Sequence, residues 1–473
     1  MRHLPLKLLP STFNCLPDLS QRMDNLNKSK IGSTISETET LKVVPEPPGS
    51  NPKVVSSVYG KIKTLVLFYP TNKDNRKRST YCYFEFLKEL IQKFKEGGRR
   101  FILVVKKNND NLLSDTEKEL LEVLANKNKN TLHVMAIDYR AYQLTPWAQD
   151  AFLAVSYKVE GENQIYLIEP SNEDDNSNAI SLVFDGDRNP NLNLNFLHAD
   201  SAVKFVGGNI LAGDNFVLFG INKTTEEDIK DKGEKWFGKN RILLKTKVRG
   251  LFNESKKYKK TSDGYRNYYR FATENQVLFH LDVFITLAGK NKVGEEVFVI
   301  GNPVIGFPLY ENLPDDIIEI AKNLITRTSK GIDELIRSLK AQLCILNIPY
   351  EIIRNPMPLT YYDKMEYDKK YRHWCWASYN NCLVESYCDP NSKERCIKNV
   401  LIPSYGIGSD YSGMSKEKEV YGNWTELHKY DLQNKWIWEE KLGYKVVLLH
   451  QDFNPFMRLN GSLNCLTNCI ERE

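Results

Sequence analysis

Apolar positions recur in two rhythms that alternate along most of the chain. Val66 to Tyr69 is a short continuous apolar run suited to a buried strand, and Tyr81 to Phe94 then spaces its apolar residues helically until Gly97-Gly98. Phe101 to Val105 reads as a second strand. Ser114-Asp115-Thr116-Glu117 is a capping box that opens an amphipathic helix through Leu120 to Leu124, and the strand Leu132 to Ile137 follows. The middle is richer in strands, with hairpin turns expected at Gly161-Glu162-Asn163 and Gly213-Asp214-Asn215. Late in the chain, a helical stretch from Asp315 to Leu346, with a break expected near Gly331, leads into the strand Tyr350 to Ile353. Val400 to Pro403 is another strand, and a helix from Trp436 to Leu442 runs into Val446 to Leu449. Strand-helix units without an internal linker predict one α/β domain over residues 58–473. Residues 1–57, rich in Ser, Thr, Asn and Pro and lacking periodicity, read as a disordered leader.

Composition narrows the function. The 473 residues are 41% apolar and 11% aromatic, enough for a large core. A net charge of +5 without any Lys/Arg stripe argues against nucleic acid as partner. No apolar run is long enough for a transmembrane helix, so no membrane partner is expected. The start, Met1 to Pro10, is basic but broken by prolines and too short for the apolar centre of a secretory signal, which points to the cytoplasm, with secretion as the alternative. Nine cysteines is an odd count, so at least one has no intramolecular partner. Cys388 and Cys396 flank a polar turn and would bridge it in an oxidising compartment; together with Cys375 and Cys382 they lack the paired spacing of a zinc site.

The chemistry concentrates in three short segments. Gly461 to Cys469 reads as a glycine-led strand that presents Cys465, Trp147-Ala148-Gln149-Asp150 carries a carboxylate, and Phe279-His280-Leu281-Asp282 carries a base and a second carboxylate. Each alone has an ordinary structural explanation: a core cysteine, an Asp turn, a buried histidine. Together they are the equipment for attacking a guanidinium carbon. Resonance makes that carbon a poor electrophile, so a thiolate is the suitable nucleophile. Two carboxylates can each accept a bidentate pair of N–H bonds, and a histidine can protonate departing ammonia and then activate water. On a strand, His280 and Asp282 would share one face.

These segments resemble the guanidine-modifying enzymes of the pentein superfamily, closest to the protein-arginine deiminases with agmatine-deiminase-like features. Trp147-Ala148-Gln149-Asp150, Val183 to Asn189, Phe279 to Phe284 and Cys465-Leu466-Thr467-Asn468 are similar to the protein-arginine group. Arg354 to Pro358, Ala377-Ser378-Tyr379-Asn380-Asn381 and Leu401 to Gly406 are similar to agmatine deiminases. The resemblance implies a five-fold pseudosymmetric α/β propeller of ββαβ units with the pocket at its centre. It implies Cys465 as nucleophile, His280 as general acid and base, and Asp150 and Asp282 as guanidinium-binding carboxylates. Trp147, Arg458 and Asn209 would contact substrate, and Gln149, Asp185 and Asn189 remain of a calcium site in which Ala151 and Leu153 replace acidic ligands. No cofactor is required for the chemistry.

The implied reaction passes through a covalent thiouronium intermediate and converts peptidyl-arginine to peptidyl-citrulline. Val206, where small-substrate deiminases carry an acidic residue, favours that substrate class, whereas Pro190 replaces the arginine that grips a peptide backbone. Asn464 stands where a histidine usually precedes the nucleophile. Hydrolysis of agmatine or another small guanidine is the alternative, as is a catalytically silent pentein that binds arginine-containing partners.

Overall fold

A computed structural model describes residues 43–44, 46–70, 73–106, 115–137, 144–170, 198–201, 203–221, 225–245, 262, 264, 266–269, 278, 280–305, 313–366, 369–388, 396–406, 420–422, 424–458 and 461–473. Strand β1 (Val43–Val44) and β2 (Ser50–Val54) open it, inside the stretch read as a leader. β2 looks like leader in sequence because it is an edge strand, with polar residues and Pro52 facing out and Val54 turned inward. β3 (Ile62–Phe68), helix α1 (Lys73–Phe94), β4 (Arg100–Lys106), α2 (Asp115–Lys127) and β5 (Leu132–Ile137) follow the alternation expected. β3, β4 and β5 pair in parallel, and β3 and β4 are apolar throughout their centres because both faces are covered.

β6 (Leu153–Val159) and β7 (Glu162–Glu169) form the hairpin expected at Gly161, where Glu160 and Gly161 take φ of 50° and 94°. β8 (His198–Ser201) pairs in parallel with β7. β9 (Ile210–Ala212) and β10 (Val217–Gly220) turn at residues 213–215, and the short helices α3 (Glu226–Asp231) and α4 (Gly233–Phe237) lead to β11 (Arg241–Leu244). After β12 (Arg266–Tyr269) come β13 (Ile285–Lys290), β14 (Glu296–Asn302), α5 (Asp315–Ile345) and β15 (Tyr350–Pro356). The break expected at Gly331 is absent: α5 runs through it unbroken. Buried Ile320, Leu324, Thr328, Gly331, Leu335 and Leu339 keep helical spacing across the glycine, and that packing outweighs its propensity cost of about 1 kcal/mol.

β16 (Leu359–Glu366) and β17 (Lys369–Trp376) form a further hairpin, braced by a buried Arg372–Asp363 pair with both contacts at 2.8 Å. β18 (Leu383–Cys388) and β19 (Cys396–Ser404) are joined by the Cys388–Cys396 disulfide. The chain ends with β20 (Val420–Gly422), α6 (His428–Trp436) continued by a π turn Ile437–Lys441, β21 (Lys445–Asp452), α7 (Asn454–Arg458) and β22 (Asn468–Arg472). No helix among the described residues is long and apolar enough to cross a membrane.

One strand pattern recurs five times: an antiparallel pair followed by a strand parallel to its second member. The sets are β6-β7-β8, β9-β10-β11, β13-β14-β15, β18-β19-β21 and β22-β3-β4. In four of them described helices lie between the parallel strands. The last set is completed only by the C-terminal strand, which lays the chain's end against β3. Buried Arg99 clamps two sets together: its Nη2 contacts both oxygens of Glu385 at 3.0 and 2.8 Å, and Glu385 Oε1 also accepts the Ile62 amide at 2.7 Å.

Candidate active site

Each strand set is entered through a short turn that carries a polar side chain. Single 3-10 turns at Ala148–Asp150, Gly207–Asn209 and Leu281–Val283 precede β6, β9 and β13. Turns around residues 379–381 and 463–466 precede β18 and β22. Hydrogen bonds join the five turns in chain order and close the last onto the first. Asp150 Oδ1 accepts the Gly208 amide at 3.3 Å, and Asn209 Oδ1 accepts the Leu281 amide at 3.1 Å. The Ser378 hydroxyl donates to the Val283 carbonyl at 2.5 Å. Asn381 Oδ1 accepts the Cys465 amide at 3.0 Å, and the Gln149 amide donates to the Cys465 carbonyl at 3.3 Å.

This close approach demands glycine at three points. A β-carbon on Gly207 would overlap the Gln149 carbonyl, one on Gly208 the His280 ring, and one on Gly461 the Trp147 ring.

Within the ring, Cys465, His280, Asp150 and Asp282 come together. Cys465 Sγ lies 3.5 Å from Asp282 Oδ2, and His280 Nε2 lies 4.0 Å from Asp150 Oδ1. An imidazole nitrogen of His280, a carboxylate oxygen of Asp282 and Cys465 Sγ are all within 4.8 Å of one another. Asp282 and Cys465 are only 1% and 3% exposed, whereas the side chains of His280 and Asp150 retain 11% and 17%, so the site opens on the latter pair.

Two local expectations are corrected. His280 and Asp282 do not sit on a strand: His280 is extended, but Asn209 captures the Leu281 amide and curls Asp282 into a turn ahead of β13. Cys465 likewise occupies a turn rather than a strand, held by the Leu466 amide on the Ser462 carbonyl at 3.1 Å and by Thr467 Oγ1 on the Leu463 carbonyl at 3.2 Å.

Burial sets the electrostatics. It raises the Asp282 pKa from 3.8 to about 6, opposed by His280 and by the Asn464 amide, which donates to Asp282 Oδ2 at 3.0 Å. Burial, then the charges of Asp282 and Asp150, push the Cys465 thiol well above its usual range. The resting sulfur is therefore a thiol whose S–H points at Asp282. A cation placed between the two carboxylates would offset their charges, which add to burial in holding the proton there.

The remaining expected residues are placed as follows. Half-buried Trp147 packs on Gly461 beside the nucleophile's turn, and Asn209 ties the Asp282 turn to its neighbour. Arg458 ends α7, with its side chain outside the described residues. Asp185 and Asn189 lie outside them too. Calcium takes six to eight oxygens. Of the expected ligands the described residues include only Gln149, whose buried Oε1 has no hydrogen-bond partner among them. With the other two expected ligands outside the described residues, no step is routed through calcium.

Sequence reasoning assigned no role to Ser378 and Asn381 and did not pair Asn464 with Asp282. Their signal was a polar residue just ahead of an apolar strand run, the same placement that Asp150 and Asp282 have.

No protein-family model matches the chain, and no curated protein sequence matches it. Among solved structures it is similar to SxtG, an amidinotransferase from Microseira wollei in the saxitoxin biosynthetic pathway, with 9% identity, a TM-score of 0.35 and coverage of 89% of this chain and 97% of that one. It is similar to a dimethylarginine dimethylaminohydrolase adduct with 4-chloro-2-hydroxymethylpyridine, at 9% identity, TM-score 0.35 and coverage of 86% and 99%. A dimethylarginine dimethylaminohydrolase variant from Pseudomonas aeruginosa complexed with citrulline is similar at 10% identity, TM-score 0.36 and coverage of 86% and 98%.

Proposed function

We propose that the chain is a deiminase that hydrolyses a guanidinium to a ureido group and ammonia through a covalent intermediate on Cys465, acting on peptidyl-arginine to give peptidyl-citrulline. The observation that carries this reading is the buried thiol 3.5 Å from Asp282, with His280 and Asp150 closing the same small site. The guanidinium lies between Asp150 and Asp282, each accepting N–H bonds. Its positive charge offsets the two carboxylates that add to burial in keeping the thiol protonated, and the Cys465 proton passes to His280 as substrate binds.

The thiolate attacks the guanidinium carbon. His280 gives a proton to one amino group, the C–N bond breaks, and ammonia leaves a thiouronium on Cys465. His280 then takes a proton from water, whose oxygen attacks the same carbon. The C–S bond breaks as the hydroxyl gives up its remaining proton to solvent, the departing thiolate regains the proton held by His280, and the neutral ureido product leaves. The opening on the Asp150–His280 side suits a guanidinium carried on a slender arm. We further infer that the five strand sets are arranged around the site with five-fold pseudosymmetry. The closed ring of hydrogen bonds among their five entry turns supports this.

Ammonia release from arginyl peptides and from free guanidines, compared between wild type and Cys465→Ala, tests the reading. Release from peptides by wild type alone is expected. Release only from agmatine-like compounds would select the small-guanidine alternative, and binding without release would select a silent arginine-binding role.

A further inference from the structure

Four of the five entry turns supply groups already given a task, and the turn before β18 supplies Asn381. We propose that Asn381 is a positioning residue for the nucleophile, its side-chain N–H holding the Cys465 sulfur as a thiolate in the aim required for attack. This deepens the reaction proposed above and rests on that reading.

The Asn381 side chain is fully buried and grips Cys465 at two atoms. Its Oδ1 accepts the Cys465 amide at 3.0 Å, and its Nδ2 donates to Sγ at 3.1 Å. Chemistry fixes which end faces which atom. A backbone amide can only donate, so the amide oxygen must meet the Cys465 N–H, and the NH2 group is left for the sulfur. Its backbone carbonyl also receives the Asn464 amide at 3.4 Å. One residue thus holds two successive amides leading into the nucleophile, those of Asn464 and Cys465, and the reacting atom itself.

The support behind Asn381 is rigid. Its amide donates to the Ser378 carbonyl at 3.3 Å, and the Ser378 hydroxyl reaches the Asp282 turn at Val283. The Tyr405 hydroxyl bridges the Ser378 carbonyl at 3.1 Å and Ser462 Oγ at 2.8 Å, at the base of the nucleophile's turn. The segment is a keystone between the carboxylate and the thiol.

The sulfur faces Asp282 and, further off, Asp150, and both disfavour its anion; His280 stands across the site. The Asn381 N–H acts in the opposite sense. It strengthens as sulfur gains charge on losing its proton to His280, weakens when the C–S bond forms, and strengthens again when that bond breaks and the thiolate leaves.

Two substitutions separate the roles. Asn381→Asp keeps the shape and the acceptor for the Cys465 amide but replaces the sulfur's donor with a carboxylate oxygen. Asn381→Ala removes both bonds, and carries the same test if the Asp variant does not fold. The readout is the rate of iodoacetamide alkylation at Cys465, followed by peptide mass spectrometry against pH, on protein whose thermal melt is cooperative. The midpoint of the alkylation profile is expected to rise by about one pH unit or more in Asn381→Asp, with kcat lower by about 10–100-fold and KM changed much less. A midpoint equal to wild type in the folded variant overturns the proposal, as does a rise in KM at unchanged kcat. Alkylation needs no substrate. An unshifted midpoint therefore refutes the role of Asn381 alone, whereas a wild type that releases no ammonia but shows the shift refutes only the deiminase reading.

Discussion

Asp282→Asn removes a carboxylate that the fold holds at a cost, so the variant gains stability as it loses chemistry. Burial raises the Asp282 pKa from 3.8 to about 6. A rise of roughly two units corresponds to about 3 kcal/mol that the ionised group costs the folded state near neutrality. The sign follows from proton binding. The folded state holds this proton more tightly than the unfolded chain, so the contribution of Asp282 to stability is greatest below pH 4 and is lost as pH rises through about 6. Asparagine cannot ionise, and its oxygen can still accept from Asn464 and from the Cys465 thiol. Its NH2 group would take the place of Asp282 Oδ1, which has no hydrogen-bond partner among the described residues. An unsatisfied buried donor costs about 1–2 kcal/mol, which leaves a net gain of about 1–2 kcal/mol near pH 7.

Urea unfolding of both proteins near pH 4 and near pH 7 checks this. The gain should appear at neutral pH and shrink or reverse at the acidic value, while kcat/KM falls by about 10³-fold because a guanidinium anchor is lost. A variant less stable than wild type at neutral pH, or a gain that does not change with pH, would refute the reasoning.

Three further outcomes follow from packing. Gly208→Ala places a β-carbon on the His280 ring, and displacing the imidazole should lower kcat by about 10²–10⁴-fold with the fold retained; unchanged steady-state kinetics would contradict it. Arg99→Ala strands the buried Glu385 carboxylate and should cost about 3–5 kcal/mol in urea unfolding, so a loss under about 1 kcal/mol argues against the clamp. Replacing Cys388 and Cys396 together with alanine should lower stability by about 2–3 kcal/mol, and reductant should then have no further effect on the melt.

The alternation of strands and helices was legible because runs such as Leu65 to Phe68 and the stripe of α5 are strongly patterned. Gly331 misled because propensity is local and the stripe that overrides it spans the whole helix. β2 has the composition of a leader because an edge strand with one wet face carries the polar residues of a loop. At the site, Cys465, His280, Asp150 and Asp282 stood out by chemistry, and the structure brings them together. Their local conformation did not show, because the turn at Asp282 is made by Asn209, 72 residues before Leu281. Asn381 carries the same local mark as Asp150 and Asp282, a polar residue just ahead of an apolar strand run, but its partner lies 84 residues away, so its hold on Cys465 does not show locally.

The central claim is that the Cys465 sulfur forms a bond to a guanidinium carbon, and acid quench of the chain with an excess of arginyl peptide, followed by intact-mass and peptide mapping, tests it most directly. The account predicts a species with the mass of protein plus peptide less ammonia, mapped to Cys465 and missing in Cys465→Ala. Ammonia and citrulline released with no adduct at Cys465, and undiminished in Cys465→Ala, would contradict it.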